Sequence, residues 1–359
     1  MMTGDGMLHN RSTARLAGAI VIFALLAGCG HARPKGSAQV ASPAKKGTAS
    51  KANGSVSPPS VLGTKSAQHI RWGVHTQPSS GGIEGAQAAI VDLESSVGRK
   101  FDFDRQFYRW DVDFPTPYDR WSAEQGRMMV ISWSAIMQAG GPVLWSDIAA
   151  GRYDDTFIKP RAKAIAAFGR PIFFAFDHEP EARIKTNGTP AEFVAAWRHI
   201  VDVFRAQHVT NVTWVWIVID YSFWTGAVKS YFPGDQYIDW IGVDGYNWFT
   251  CRSDNIAPWR SWTAIFDPAR VFAAQHPSKP VMVAELGSVE DPAVPGRKAS
   301  WLTDATLTLK RTSWSQFRGL IYYNKRDRWD PAGRDCDWRV TTSPIALQAF
   351  SSMGADPYF

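Results

Sequence analysis

The sequence is short of several things that mark common protein classes, and each absence excludes something. Only three cysteines occur in 359 residues, too few for a disulfide-dense scaffold, and neither Cys251 nor Cys336 has a second Cys or a His at metal-ligand spacing. The segment His178-Glu-Pro-Glu-Ala182 lacks the second His of a zinc-protease helix, since position 182 is Ala. No Gly-x-Ser-x-Gly elbow, phosphate-cradling loop or dinucleotide fingerprint follows a strand-like run. Asp102, Asp104, Asp111 and Asp113 are without the spacing and the Gly of a calcium-binding EF-hand, so they read as solvated or structural acids. No metal and no cofactor are therefore expected.

Residues 30–68 contain no aromatic and no acid; such a segment cannot bury enough apolar surface to fold. It also holds the chain's excess of positive charge. Arg33, Lys35, Lys45, Lys46, Lys51 and Lys65 supply as much charge as the net +6 of the whole chain, so the part from His69 onward is close to neutral and nothing in it favours nucleic acid. Rich in Ala, Ser, Gly and Pro, residues 29–68 read as a flexible tether. Before them, Arg11 and Arg15 precede an apolar run over residues 16–26, shorter than the ~20 residues of a membrane-spanning helix. The run leads into Leu26-Ala-Gly-Cys29, which resembles the lipobox of bacterial lipoprotein signal peptides. That resemblance implies removal of residues 1–28, a lipid on Cys29, export, and anchoring to the bacterial cell membrane with the folded part outside the cytoplasm. An exported protein can oxidise Cys251 and Cys336, and a disulfide joining two loops is expected, with a zinc site as the weaker alternative.

What the sequence has in abundance is aromatic. It carries 17 Trp, 20 Phe and 10 Tyr, too many for every Trp to be core, so some are expected to line a groove. From His69 short apolar runs alternate with helical patterns. Strands are expected near 70–75, 107–110, 128–133, 172–176, 211–219 and 237–244, in a run ending at Glu285, and near 317–323. Helices are expected near 84–97, 156–168, 190–207, 268–275 and 297–311, the third with Thr189 as N-cap before Pro190. Eight strands alternating with helices over roughly 290 residues predict a (β/α)8 TIM barrel, ahead of an open doubly wound sheet.

Two of these strands stand out. Pro171-Ile-Phe-Phe-Ala-Phe176 reads as buried on both faces yet ends abruptly in Asp177, His178 and Glu179, and Pro280-Val-Met-Val-Ala284 likewise ends in Glu285. In a barrel the strand carboxyl ends face one mouth. Those ends gather His75, Trp110, Trp133, Asp177, His178, Glu179, Trp216, Asp220, Asp244, Tyr246, Glu285, Tyr322 and Asn324. Carboxylates, aromatic planes and hydrogen-bonding groups together have the chemistry of a sugar site, although any single aromatic reads as core before platform.

From His69 onward the chain resembles glycoside hydrolase family 26. The resemblance is carried by His178-Glu179, Phe193-Val-Ala-Ala-Trp-Arg-His199, Asn211-Val-Thr-Trp-Val-Trp216, Tyr231-Phe-Pro-Gly-Asp235, the run Tyr237 to Trp248, and Ala284-Glu-Leu-Gly287. It implies an endo-acting, retaining β-glycanase of β-mannan or β-glucan type, with Glu179 as general acid/base, Glu285 as nucleophile and Tyr246 as a donor to Glu285. Substrate contacts are expected from His178, Tyr246, Trp110, Trp133, Trp216, Trp248, Asp177, Asn324, and Tyr322, or Tyr323 if the register slips. For His178 a sugar contact and a structural hydrogen bond under the strand end both stay open; Asp177 would raise the acid's pKa or bind a hydroxyl. After Glu179 the family's mannanases often carry Met-Asn-Gly and two Trp, where this chain has Pro180-Glu-Ala-Arg-Ile-Lys-Thr-Asn-Gly188, a departure that bears on the sugar more than on catalysis. A hydrolase of the producer's own envelope glycan and a catalytically silent carbohydrate-binding lipoprotein are the alternatives. A monomer meeting a polysaccharide is the expected working form.

Overall fold

The structure, a computed structural model, describes residues 69–78, 80–252, 257–329 and 334–359; the expected signal segment, Cys29 and the tether lie outside the described residues. Eight strands form one closed barrel in sequence order: β1 (Arg71–Thr76), β2 (Phe103–Arg109), β3 (Met128–Ser134), β4 (Ile172–Phe176), β5 (Val212–Ile219), β6 (Trp240–Asn247), β7 (Val281–Ser288) and β8 (Phe317–Asn324). Every neighbouring pair is parallel. Around them run α1 (Gly82–Val97), α2 (Pro117–Glu124), α3 (Trp145–Ala149), α4 (Lys159–Phe168), α5 (Pro190–Ala206), α6 (Asp220–Thr225), α7 (Val228–Tyr231), α8 (Trp262–Ala273), α9 (Arg297–Leu309) and α10 (Pro344–Ala355). The (β/α)8 barrel expected from the sequence is the observed fold.

Strand side chains alternate between two apolar layers. Phe103, Val130, Phe173, Val215, Met282 and Ile321 point inward and fill the barrel, while the opposite faces pack against the helices in a larger, tryptophan-rich layer. Crowding inside the barrel dictates Gly73 in β1, where a Cβ would stand 2.4 Å from that of Phe103. Thr189 caps α5 as expected: its hydroxyl accepts from the Glu192 N–H at 3.3 Å, and the Glu192 carboxylate accepts from the Thr189 N–H at 2.7 Å. Arg127, just before β3, is tied to Glu94 of α1 through two hydrogen bonds of 2.8 and 2.6 Å.

Three boundaries differ from expectation. β2 starts at Phe103 rather than near 107, because its first turns carry Asp104 and Arg105, polar residues that break the apolar pattern. Asp104 faces α2 and accepts from Tyr118 and Ser122; Arg105 points into the barrel. β6 runs later than expected, to Asn247. α8 begins six residues before Pro268, which lies inside it. Proline lacks the N–H that would bond the carbonyl four residues earlier, and here Arg260 donates to that carbonyl, of Ala264, at 3.0 Å.

After β8 the chain forms an antiparallel hairpin, β9 (Arg326–Trp329) and β10 (Arg334–Asp337). Cys336 of this hairpin is bonded to Cys251, which follows β6, so the expected disulfide is present.

Candidate active site

Glu285 and its neighbours occupy the carboxyl ends of β2, β4, β6 and β7. The Tyr246 hydroxyl donates to Glu285 Oε2 at 2.5 Å. The Arg105 guanidinium, fully buried, donates to Oε1 from Nη2 at 2.8 Å and from Nε at 3.3 Å. Both oxygens of this buried carboxylate thus meet donors, one of them charged, which offsets its desolvation. Asp244 lies underneath, 3.8 Å from Arg105 Nη2. Burial, and then the charge of Glu285, push its pKa well above the usual carboxylate range. His178, Asp244 and Glu285 bring one ligand atom each within 4.8 Å of one another, a metal-like grouping, but the guanidinium already supplies its positive charge.

The end of β4 is shaped to present Glu179. Asp177 and Glu179 both adopt left-handed backbone conformations, φ 42° and 54°, which non-glycine residues seldom hold without reason. The Glu179 N–H donates to the Ile217 carbonyl of β5 at 3.2 Å. Its carboxyl is pushed up to about 8, first by burial, then by the charges of Glu285 and Glu181, against the opposing pull of Arg105 and Arg183. Glu181 is itself pushed up to about 7 by burial; it accepts from the Ile219 N–H at 3.1 Å. A carboxyl group raised by burial, in one mouth with a carboxylate that meets a guanidinium and a phenol, is the arrangement that acid–base chemistry at a single bond requires.

Aromatic rings wall the site. His75, held by the Arg105 carbonyl at 2.9 Å, stacks on Tyr323 with centroids 5.1 Å apart and meets Phe107 edge-on at 4.9 Å. Tyr246 packs against Tyr323, Trp248 and Trp338. Gly287 belongs to this wall, since a Cβ there would lie 3.1 Å from the rings of both Trp338 and Tyr246. A cavity of about 850 Å³ opens beside Gln77 and Lys325, just past the ends of β1 and β8.

The structure separates the expected site residues into two groups. Glu179, Glu285, Tyr246, His178 and Trp248 come together at the mouth. His178 is part-exposed, with its Nε2 3.7 Å from Glu285 Oε1 and its Nδ1 without a partner; burial and the nearby Arg105 lower its pKa well below the ordinary value, leaving it neutral. The remainder are corrections. Trp110, Trp133 and Trp216 are completely buried: the first two stack face to face at 4.0 Å, and Trp216 packs on Phe232 outside the barrel. They cannot touch a sugar. Asp177 is a buried structural carboxyl group, bound by the Ala135 N–H, Trp145 Nε1 and Arg183. Tyr322 turns away and donates to the Trp338 carbonyl at 2.6 Å, so Tyr323 is the ring that faces the site. Asn324 accepts from the Val340 N–H and fixes a loop. Asp220 is paired with Arg260. Arg105 and Phe107 were not among the expected residues; a β2 strand begun at Phe103 would have put both on the inward face.

An eight-stranded parallel barrel whose fourth and seventh strands end in two glutamates, one beside an arginine and a tyrosine hydroxyl and the other held protonated, has the parts of a glycoside hydrolase. Residues 158–292 match the family model of glycosyl hydrolase family 26, and the chain belongs to that family. It is similar to endoglucanase H of Acetivibrio thermocellus, 32% identical over 295 residues that make up 77% of this chain and 29% of the relative. It is also similar to a β-1,3-xylanase of a Vibrio species, 22% identical over 59% of this chain and 49% of the relative. The chain thus spans less than half the length of either relative. Among solved structures it shares its fold with the catalytic domain of a Bacillus family 26 endo-β-1,4-mannanase, with a TM-score of 0.59, 17% identity and coverage of 82% of this chain and 87% of that one. A β-mannanase from Bacteroides ovatus gives a TM-score of 0.54 at 17% identity, covering 81% of this chain and 90% of that one.

Proposed function

We propose that the protein is a retaining endo-β-glycanase that cleaves a β-linked polysaccharide by double displacement. The observation that carries the reading is the contrast between the two strand-end glutamates: Glu285 meets a guanidinium and a phenol, whereas Glu179 is pushed up to about 8. In the first step Glu179 gives its proton to the glycosidic oxygen as the bond to the leaving sugar breaks, and the Glu285 carboxylate bonds to the anomeric carbon. Esterification removes the charge of Glu285, and with it one of the influences that raise the pKa of Glu179. Glu179, now a carboxylate, takes a proton from water, whose oxygen attacks the same carbon and frees Glu285. Tyr246 and Arg105 hold Glu285 in line. A β-glucan is the preferred substrate over a β-mannan, because the relative with the higher identity is an endoglucanase and the sequence after Glu179 departs from the mannanase pattern.

The test is release of reducing ends by the full chain from mixed-linkage β-glucan, β-mannans, β-1,3-xylan and bacterial envelope polysaccharides. Glu285→Ala and Glu179→Ala are each expected to lower kcat on the glucan by a factor of about 10³ or more while the protein stays folded. Near-native turnover in either variant removes that residue from its role, and release from envelope glycan alone redirects the reading to the producer's own wall. We further infer that the enzyme acts as a monomer at the cell surface, anchored through lipid on Cys29. Replacing Cys29 with Ser is expected to move it from the membrane fraction to the soluble exported fraction, and retention in the membrane would remove the lipid anchor.

A further inference from the structure

Most of the tryptophans are spent on packing, and the exceptions are informative. Among the described residues, Tyr221 and Trp224 are the two most exposed large apolar side chains, at 60% and 69%. They neighbour each other on α6 with ring centroids 5.5 Å apart. This short helix starts where β5 ends, at the catalytic face of the barrel, and its other side is anchored. Phe223 packs on Trp216 and Phe272. Asp220, nearly buried, pairs with Arg260 at 2.7 Å. Glu181 accepts from the Ile219 N–H and hydrogen-bonds Ser222, and Glu179 bonds the Ile217 carbonyl two residues earlier. The acid/base segment and the base of the aromatic pair are therefore fixed to the same three residues of β5.

That placement indicates an occupant. The general acid stands on the side where the leaving sugar departs, since it protonates the leaving oxygen. Two rings left open to water next to that side, tilted 54° to each other on a backbone held from below, each present an apolar face that the C–H face of a pyranose ring covers well. We propose that Tyr221 and Trp224 form a platform for a sugar residue of the β-glycan chain on the leaving side of the cleaved bond. The proposal rests on the glycanase reading above and adds to it the part of the chain that binds the departing half of the substrate. Neither ring touches the reacting atoms, so both act in binding.

The experiment compares full-length wild type with Tyr221→Ala, Trp224→Ala and Trp224→Phe on two substrates. One is mixed-linkage β-glucan; the other is a β-oligoglucosyl fluoride, whose leaving group carries no sugar. In the two alanine variants the ratio of kcat/KM on polymer to kcat/KM on fluoride is expected to fall about tenfold, mostly through KM on the polymer, and Trp224→Phe is expected to recover most of it. An unmoved ratio overturns the platform, whether both activities are kept or both are lost together. Should wild type turn over neither substrate, the glycanase reading fails by itself. The platform is then read by affinity electrophoresis in gels containing β-glucan: retardation of wild type that the alanine variants lose supports it, and equal or absent retardation overturns it.

Discussion

At the scale of single residues, the chemistry turns on how four acids in one mouth divide protons between them. Glu179 is raised, so its acid form is present below about pH 8 and is lost as the pH climbs through that value. Because the proposed first step needs that proton, kcat/KM is expected to fall on an alkaline limb near pH 8, far above where an unperturbed glutamate titrates. Glu181 is one of the charges that raise it. Glu181→Gln is therefore expected to move the limb to lower pH in a pH–rate profile, and an unmoved limb would separate Glu181 from the acid. The two catalytic candidates were legible in the sequence because each follows an apolar run at a strand end, where a barrel binds its ligands, although Asp177 at the same strand end is structural. Arg105 was not legible. An arginine inside a strand reads as surface until its partner is known, and that partner, Glu285, is 180 residues further on.

At the scale of the element, alternation decides which aromatics can bind. Trp133 and Trp216 sit where strand side chains turn outward to the helices, and Trp110 follows them into that layer through its stack on Trp133. Trp133→Ala is expected to destabilise the fold by about 3–5 kcal/mol, seen as a lower denaturant midpoint, with KM for polymer little changed; a selective rise in KM would return Trp133 to the site. Strand order, strand number and the longer helices α1, α4, α5, α8 and α9 could be read from periodicity, since eight apolar runs separated by amphipathic stretches leave little else to build. Facing could not be read for Tyr322 and Tyr323, because both are aromatic and one step of register exchanges their roles. The start of α8 was missed for a different reason. Pro268 signals a helix start, and only the contact of Arg260 with Ala264 shows how the helix runs through it.

At the scale of the whole molecule, the barrel is a closed ring of backbone hydrogen bonds, and the covalent cross-link lies at its rim. Cys251 and Cys336 enclose a sequence separation of 85 residues, for which loop-closure arguments give about 4.6 kcal/mol, often less in practice. Cys251→Ser with Cys336→Ser is expected to lower the melting temperature by several degrees, and alkylation of the native protein before reduction should label neither sulfur. Two readily alkylated thiols in exported protein would overturn the pairing. The barrel was predictable from length and alternation, whereas the β9–β10 hairpin that carries Cys336 was not, because it left no mark in the pattern. The bond joins the segment after β6 to the hairpin after β8, β6 and β8 being the two strands that flank β7 in the barrel. Trp338, which follows the hairpin, is held by Lys298 and Tyr322 and lies on Tyr246. Tyr246, the hydroxyl donor to Glu285, is thus backed by a ring two residues from the cross-linked Cys336, so the covalent staple reaches the site through a single layer of aromatic packing.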